Sequence, residues 1–131
     1  VSSISNQIPD DLKFLASHEW ARLLDNGEVQ IGISDHAQDA LGELVYVELP
    51  EIGDEFAAGA ETAVVESVKA ASDVFAPIAG EITAVNDALE GDPALVNSAA
   101  ESNGWLYKMK VADVSELSSL MDLEAYKALI A

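Results

Sequence analysis

The chain has 131 residues, 24 of them Asp or Glu and only 6 Lys or Arg, for a formal net charge of -18. Clustered positive charge is what draws proteins to phosphate backbones and anionic lipids, so nucleic acid and membrane surfaces are excluded as first partners. Hydrophobic residues at 50% against 23% charged ones put this acidity on a folding chain rather than a disordered tail, and with 0 Cys there is no disulfide, thiolate nucleophile or cysteine-held metal.

The length predicts a single domain over residues 1–131. Its start, Val1-Ser-Ser-Ile-Ser5, has neither the basic nor the apolar region of a signal peptide, and no apolar run approaches the roughly 18 residues of a membrane span. Ala21–Leu24 and Glu28–Ile33 flank Asp25-Asn26-Gly27, a strong local hairpin signal. Ser34 is suited to cap a short helix running through Leu41, with Asp35 near its positive end and Gly42 placed to stop it. Leu44–Leu49 reads as a strand ended by Pro50, and Glu51–Gly59 as an acidic turn region. Thr62–Val68 and Ser72–Ala76 read as two strands of a hairpin (about 62–76) with Lys69 at its tip. Glu81–Val85 and Trp105–Val111 alternate as strands, and the apolar spacing from Ser115 onward suits a helical segment at about 114–131. The fold class is therefore mainly β, a sandwich or flattened barrel with short helices.

Between Leu23 and Tyr107 there are seventeen acidic residues and one cation, Lys69. On spacing alone Lys69 reads as a solvated turn residue. Its context adds to this: Val64, Val65 and Val68 before it and Val74 and Phe75 after it would stiffen the turn and offer the lysine to another protein. An exposed lysine stays cationic at neutral pH and is a poor nucleophile, so such a residue suits attachment by a ligase better than Schiff-base or general-base chemistry. No catalytic constellation is found, neither a phosphate loop nor a nucleophile elbow. His18 and His36 lack metal-ligand spacing, and Asn86–Asn97 fails as a calcium loop at its third and twelfth positions, so no metal is expected. Trp20 and Trp105 read as core or cleft-wall aromatics.

Glu66-Ser-Val-Lys-Ala-Ala-Ser-Asp-Val74 is preceded by Ser17-His-Glu-Trp20, Ile31-Gly-Ile-Ser-Asp-His-Ala-Gln-Asp39, Leu41-Gly-Glu43 and Val47-Glu-Leu-Pro50, and followed by Pro77-Ile-Ala-Gly-Glu81 and Asn103-Gly-Trp105. In this order the chain resembles the H proteins of the glycine cleavage system from about Leu12 onward. The resemblance implies a lipoyl-type β-sandwich with lipoate in amide linkage to Lys69, on a hairpin that includes Glu66, Ser67, Val68 and Ala70. It implies a carrier that is not itself an enzyme. An aminomethyl group would pass from a pyridoxal-phosphate glycine decarboxylase to a tetrahydrofolate-dependent aminomethyltransferase, and electrons to dihydrolipoamide dehydrogenase. A lipoate ligase or lipoyl/octanoyl transferase would load the arm. The cleft for the loaded arm would be formed by Ser17, Glu19, Ala37, Leu41 and Asp73, with Glu19 facing the cationic amine; some members carry histidine where this chain has Ala40. From the residues alone, Ser17 and Glu19 read as a turn-capping pair. Two other readings stay open: a lipoyl relay or carrier for other complexes, and an acidic adaptor in which Lys69 is incidental. The implied compartment is the bacterial cytoplasm, with the mitochondrial matrix as the alternative.

Overall fold

Short β-branched runs that alternate apolar and polar residues form the strands, since each strand can then bury one face. The structure is a computed structural model and describes residues 12–111 and 113–130. The expectation about a leader at residues 1–5 and the outer ends of the 1–131 domain fall outside the described residues. In chain order the elements are β1 (Lys13–Phe14), β2 (Glu19–Leu23), β3 (Val29–Ile33), α1 (Asp35–Leu41), β4 (Leu44–Glu48), β5 (Glu55–Phe56), β6 (Glu61–Ser67) and β7 (Ala71–Phe75). They continue with β8 (Gly80–Val85), α2 (Ala88–Gly91), α3 (Ala94–Ala99), β9 (Tyr107–Val111), a 3₁₀ segment (Val114–Ser119) and α4 (Leu123–Ile130). Strands pair in a six-stranded sheet of order β1-β2-β3-β9-β8-β5 and a three-stranded sheet of order β4-β6-β7. Neighbours are antiparallel throughout. The result is the β-sandwich with short helices and a C-terminal helical segment that the sequence predicts.

Both sheets contribute to one apolar layer. Ile31 and Ile33 of β3, Val47 of β4, Val65 of β6, Val74 of β7, Ile82 of β8 and Met109 of β9 are each at most 4% exposed within one cluster. Burying a side chain of this size contributes about 1.5–3 kcal/mol. A second cluster joins Leu12, Phe14 and Trp20 to Tyr126 of α4. Ala21 belongs to the first cluster and its neighbour Trp20 to the second, so β2 has apolar packing on both faces. Phe14 and Tyr126 stack with centroids 4.2 Å apart, which seats α4 against β1.

Two hairpin loops share one hydrogen-bond pattern. In Asp25-Asn26-Gly27, Gly27 N donates to Leu24 O and Leu24 N to Glu28 O, with Gly27 at φ +89°. In Ala16-Ser17-His18, His18 N donates to Leu15 O and Leu15 N to Glu19 O, with His18 at φ +81°. The last position of such a three-residue loop is left-handed and favours glycine. The first loop was legible for that reason; the second carries a histidine there and was not.

The sequence reading leaves four elements out of its account. It assigns no strand at β1; Asn86–Asn97, weighed only as a calcium loop, contains α2 and most of α3; and the stretch read as turn contains the two-residue β5. Pro93, directly before α3, is a helix-start signal that marks that helix.

Gly32 pairs with Trp20 across β2 and β3, and a Cβ there would lie 2.6 Å from the indole Cε2 and Cζ2. Trp20 cannot yield easily, because its indole N–H donates to Ala100 O at 2.9 Å. Gly32→Ala is therefore expected to lower stability by about 1–3 kcal/mol through overpacking. Chemical denaturation followed by Trp fluorescence checks this, and an unchanged midpoint would contradict it.

Candidate functional site

The β6–β7 register brings Glu66 opposite Ala71 and leaves Val68-Lys69-Ala70 as the connecting loop after Ser67, the last residue of β6. Ser67, only 8% exposed, organises it. Its hydroxyl accepts from the N–H groups of Lys69 and Ala70, both at 3.1 Å, and its own N–H donates to Ala70 O at 2.7 Å. The loop is also tied outward, because Val68 N donates to Glu43 O at 3.0 Å. Val68 and Lys69 are exposed, and the lysine ammonium donates to Ala40 O at 3.1 Å. That carbonyl belongs to the last turn of α1, where the helix dipole favours a cation. An acyl group on Nζ would remove this charge and with it the charge-assisted bond.

Helix α1 is itself held at both ends. Ser34 caps it by accepting from Ala37 N at 3.1 Å, and the buried carboxylate of Glu101 accepts from Asp35 N at 2.8 Å. Burial pushes the Glu101 carboxyl above the ordinary range, with the Asp35 N–H opposing. At the far end Gly42, at φ +87°, donates to Gln38 O and ends the helix as the sequence predicts. Asn97 of α3 then fixes the corner into β4. Its amide donates to Gln38 Oε1 at 2.8 Å and to Gly42 O at 2.9 Å, while its oxygen accepts from Leu44 N at 2.9 Å. This corner carries Glu43 O and lies beside Ala40 O, the two carbonyls that hold the lysine loop. Asn97 is thus a supporting residue that sequence reasoning missed; a buried-side amide reaching backbone groups far away in sequence leaves no local pattern.

Glu19 begins β2 opposite Ile33 and is 1% exposed. Ser17 Oγ donates to one carboxylate oxygen, and Phe75 N donates to the other at 2.8 Å. The pair Ser17–Glu19 does bond, as a turn-capping pair would, but Glu19 also reaches from the six-stranded sheet to an edge strand of the three-stranded one. Desolvation raises its pKa above the ordinary glutamate value, and the hydrogen bonds from Ser17 and Phe75 oppose that rise.

The expected cleft residues lie on elements that run between Lys69 and Glu19. α1 starts beside His18, whose carbonyl accepts from Ser34 N at 2.8 Å, and ends beside Lys69. β7 leaves the lysine loop at Ala71 and reaches Glu19 at Phe75. Ala37 and Leu41 are half-buried on α1, Asp73 is exposed on β7, and Ser17 is exposed at the Glu19 end. Lys69 and Glu19 thus stand at opposite ends of a helix whose seven residues span about 10 Å. His18 and His36 pack ring against ring at 5.1 Å, and among the described residues no group of three or more His, Asp or Glu side chains has metal-holding geometry.

Comparison with known proteins bears on the family of the chain. A family profile described as "Glycine cleavage H-protein" matches residues 12–131. A glycine cleavage system H protein of Shewanella denitrificans is 55% identical over 123 residues, 94% of this chain and 95% of that one. The counterpart from a Psychrobacter species is 53% identical, covering 94% of this chain and 98% of its own. The crystal structure of a glycine cleavage system H protein from Mycobacterium marinum superposes with a TM-score of 0.84 at 38% identity, over 92% of this chain and 97% of that one.

The raised Glu19 pKa gives a stability signature. The folded state binds a proton more tightly than the unfolded chain, so wild type should lose stability relative to Glu19→Gln as pH rises from the ordinary glutamate value through the folded one. Glutamine can keep both hydrogen bonds, accepting from Phe75 N and donating to Ser17 Oγ. Paired denaturation curves between pH 4 and 8 check this, and a pH-independent difference would contradict it.

Proposed function

Because the chain belongs to the glycine cleavage H-protein family, we propose that Lys69 carries a lipoyl group in amide linkage and that the strip between α1 and β7 receives the loaded arm. The family gives the coarser statement outright: the chain is a lipoyl carrier of the glycine cleavage system, works with the other components of that system, and is not itself a catalyst. The observation that best supports Lys69 is its exposed amine on a loop fixed by Ser67 and by the carbonyls of Glu43 and Ala40. A ligase needs a lysine it can reach and a backbone it can recognise in one shape. Glu66, Ser67, Val68 and Ala70 supply that shape around the amine.

When attached, the group supplies the dithiol chemistry that a chain with 0 Cys lacks. The protein's own residues tether, orient and shield. Lys69 holds the arm near each partner's active site, which raises its effective concentration there. Ala37 and Leu41 offer an apolar wall, Asp73 an exposed carboxylate, and Glu19 a buried one already oriented by Ser17 and Phe75 N–H. Retracted along α1, a lysine lengthened by an acyl chain brings its far end toward Glu19, where a cationic amine finds a counter-charge and little water.

The partners in this reading are the pyridoxal-phosphate glycine decarboxylase, the tetrahydrofolate-dependent aminomethyltransferase, dihydrolipoamide dehydrogenase and the ligase or transferase that loads the lysine. The chain acts as a single carrier domain, its surface charge suiting basic entrances on those enzymes. The bacterial cytoplasm is the compartment we assign, in keeping with the bacterial relatives; among the described residues no helix is long and apolar enough to cross a membrane.

Incubation with a lipoate ligase, ATP and lipoate should add one lipoyl amide, found by peptide mass spectrometry on the fragment containing Lys69. Lys69→Arg should abolish the gain while leaving the melting temperature within about 2 °C, as befits an exposed residue away from the core. Modification at another lysine, or none under conditions that load a control lipoyl domain, would overturn the assignment.

A further inference from the structure

Two loops of this protein have the same hydrogen bonds, yet one ends in Gly27 and the other in His18. Left-handed backbone is unfavourable for a side chain of this size, and persists where the surroundings over-determine it. At His18 the surroundings are visible. Its Nδ1 lies 2.7 Å from the Tyr126 hydroxyl, which in turn lies 2.7 Å from Ser34 Oγ.

The Tyr126 hydroxyl bridges the two groups, with one hydrogen to give and lone pairs to receive. Ser34 Oγ also accepts from Ala37 N and keeps a hydrogen and a second lone pair for Tyr126. Either direction of donation ties His18 Nδ1 to Ser34 Oγ through this one hydroxyl. Burial and the neighbouring His36 ring both lower the His18 pKa and so favour the neutral imidazole. One hydroxyl, presented by α4, therefore joins the Ala16-Ser17-His18 loop to the N-cap residue of α1. The backbones it joins are already bonded, Ser34 N to His18 O at 2.8 Å.

We infer that Tyr126 is a positioning residue for the cleft: acting through His18 and Ser34, its hydroxyl fixes the loop from which Ser17 and Glu19 project against the N-cap of α1, so that the C-terminal helix sets the wall met by the loaded arm. This rests on the reading of Glu19 as that arm's contact. The Tyr126 ring is held independently by the stack on Phe14, so the hydroxyl can be removed without unseating α4.

Tyr126→Phe removes the hydroxyl and keeps the stack; His18→Gly removes the same bond while relieving the left-handed backbone. A purely structural histidine would make the glycine variant neutral or more stable, with Glu19 undisturbed. The expected result is that, in unmodified protein, the carbon-13 titration of the Glu19 carboxyl moves down toward the ordinary glutamate value in both variants as the site loosens. In loaded protein, both should shorten the lifetime of the arm's cargo about fivefold, the effect of one neutral hydrogen bond. Neither should shorten it further in a Glu19→Gln background. An unchanged Glu19 titration, or an equal loss on top of Glu19→Gln, overturns the inference. If Glu19→Gln alone leaves the lifetime unchanged, the reading of Glu19 fails instead, and the titration by itself decides the role of Tyr126.

Discussion

The arrangement depends on the carbonyl end of α1. Two acceptors there, Ala40 O and Glu43 O, hold the Lys69 ammonium and the Val68 N–H, so the exposed loop cannot move without moving the helix. The helix cannot move freely either, because Asn97 grips the corner after it from a different part of the chain. The backbone around the lysine is thus hydrogen-bonded within the loop and to the helix corner, while its side chain is exposed. For the carrier proposed above, loaded by a ligase and visiting several enzymes, a fixed base and a free arm would be complementary requirements. Acylation would alter just one of these contacts: it cancels the charge that binds Nζ to Ala40 O and leaves the backbone bonds of Ser67 and Glu43 in place.

Glu19 carries the opposite kind of constraint. A carboxylate that is 1% exposed is costly to ionise, and its raised pKa records that cost. Two hydrogen bonds offset part of it, and one of them satisfies an edge-strand N–H of β7 that would otherwise seek a partner. The same side chain thus joins the two sheets. Under the proposed reading it also receives the cargo of the arm, so one residue would serve both roles.

How much was legible follows from where the signals lie. The lysine hairpin, the cap at Ser34, the stop at Gly42 and the Gly27 turn are all written in adjacent residues, and each stands where the sequence places it. The second loop was hidden because Ala16-Ser17-His18 contains neither glycine nor asparagine; its left-handed residue is held by Tyr126, 108 positions away. Glu19's partner is a backbone N–H 56 positions away, and a backbone donor has no residue type to recognise. Asn97, judged only by its failure as a calcium ligand, is explained by contacts to α1 and β4 that depend on the packing of α3. The family resemblance named Ser17, Glu19, Ala37, Leu41 and Asp73 together; physical reasoning on the sequence alone assigned none of them to a cleft.

The formal charge of -18 gains meaning from this geometry. Glu43, Glu66 and Asp73 are near neighbours of Lys69 in the hairpin and its supporting corner, so a loaded arm would rise from an almost wholly acidic surface suited to basic enzyme entrances. The central claim is that function requires the arm at this position of the loop, not merely an exposed lysine. Its most direct test is glycine-dependent release of carbon dioxide in a system reconstituted with the other three components. Protein loaded at Lys69 is compared with the Lys69→Ala, Ala70→Lys double variant, which moves the amine one residue along the loop. The expected result is release with the first and at most background with the second; equal rates from the two would contradict the account.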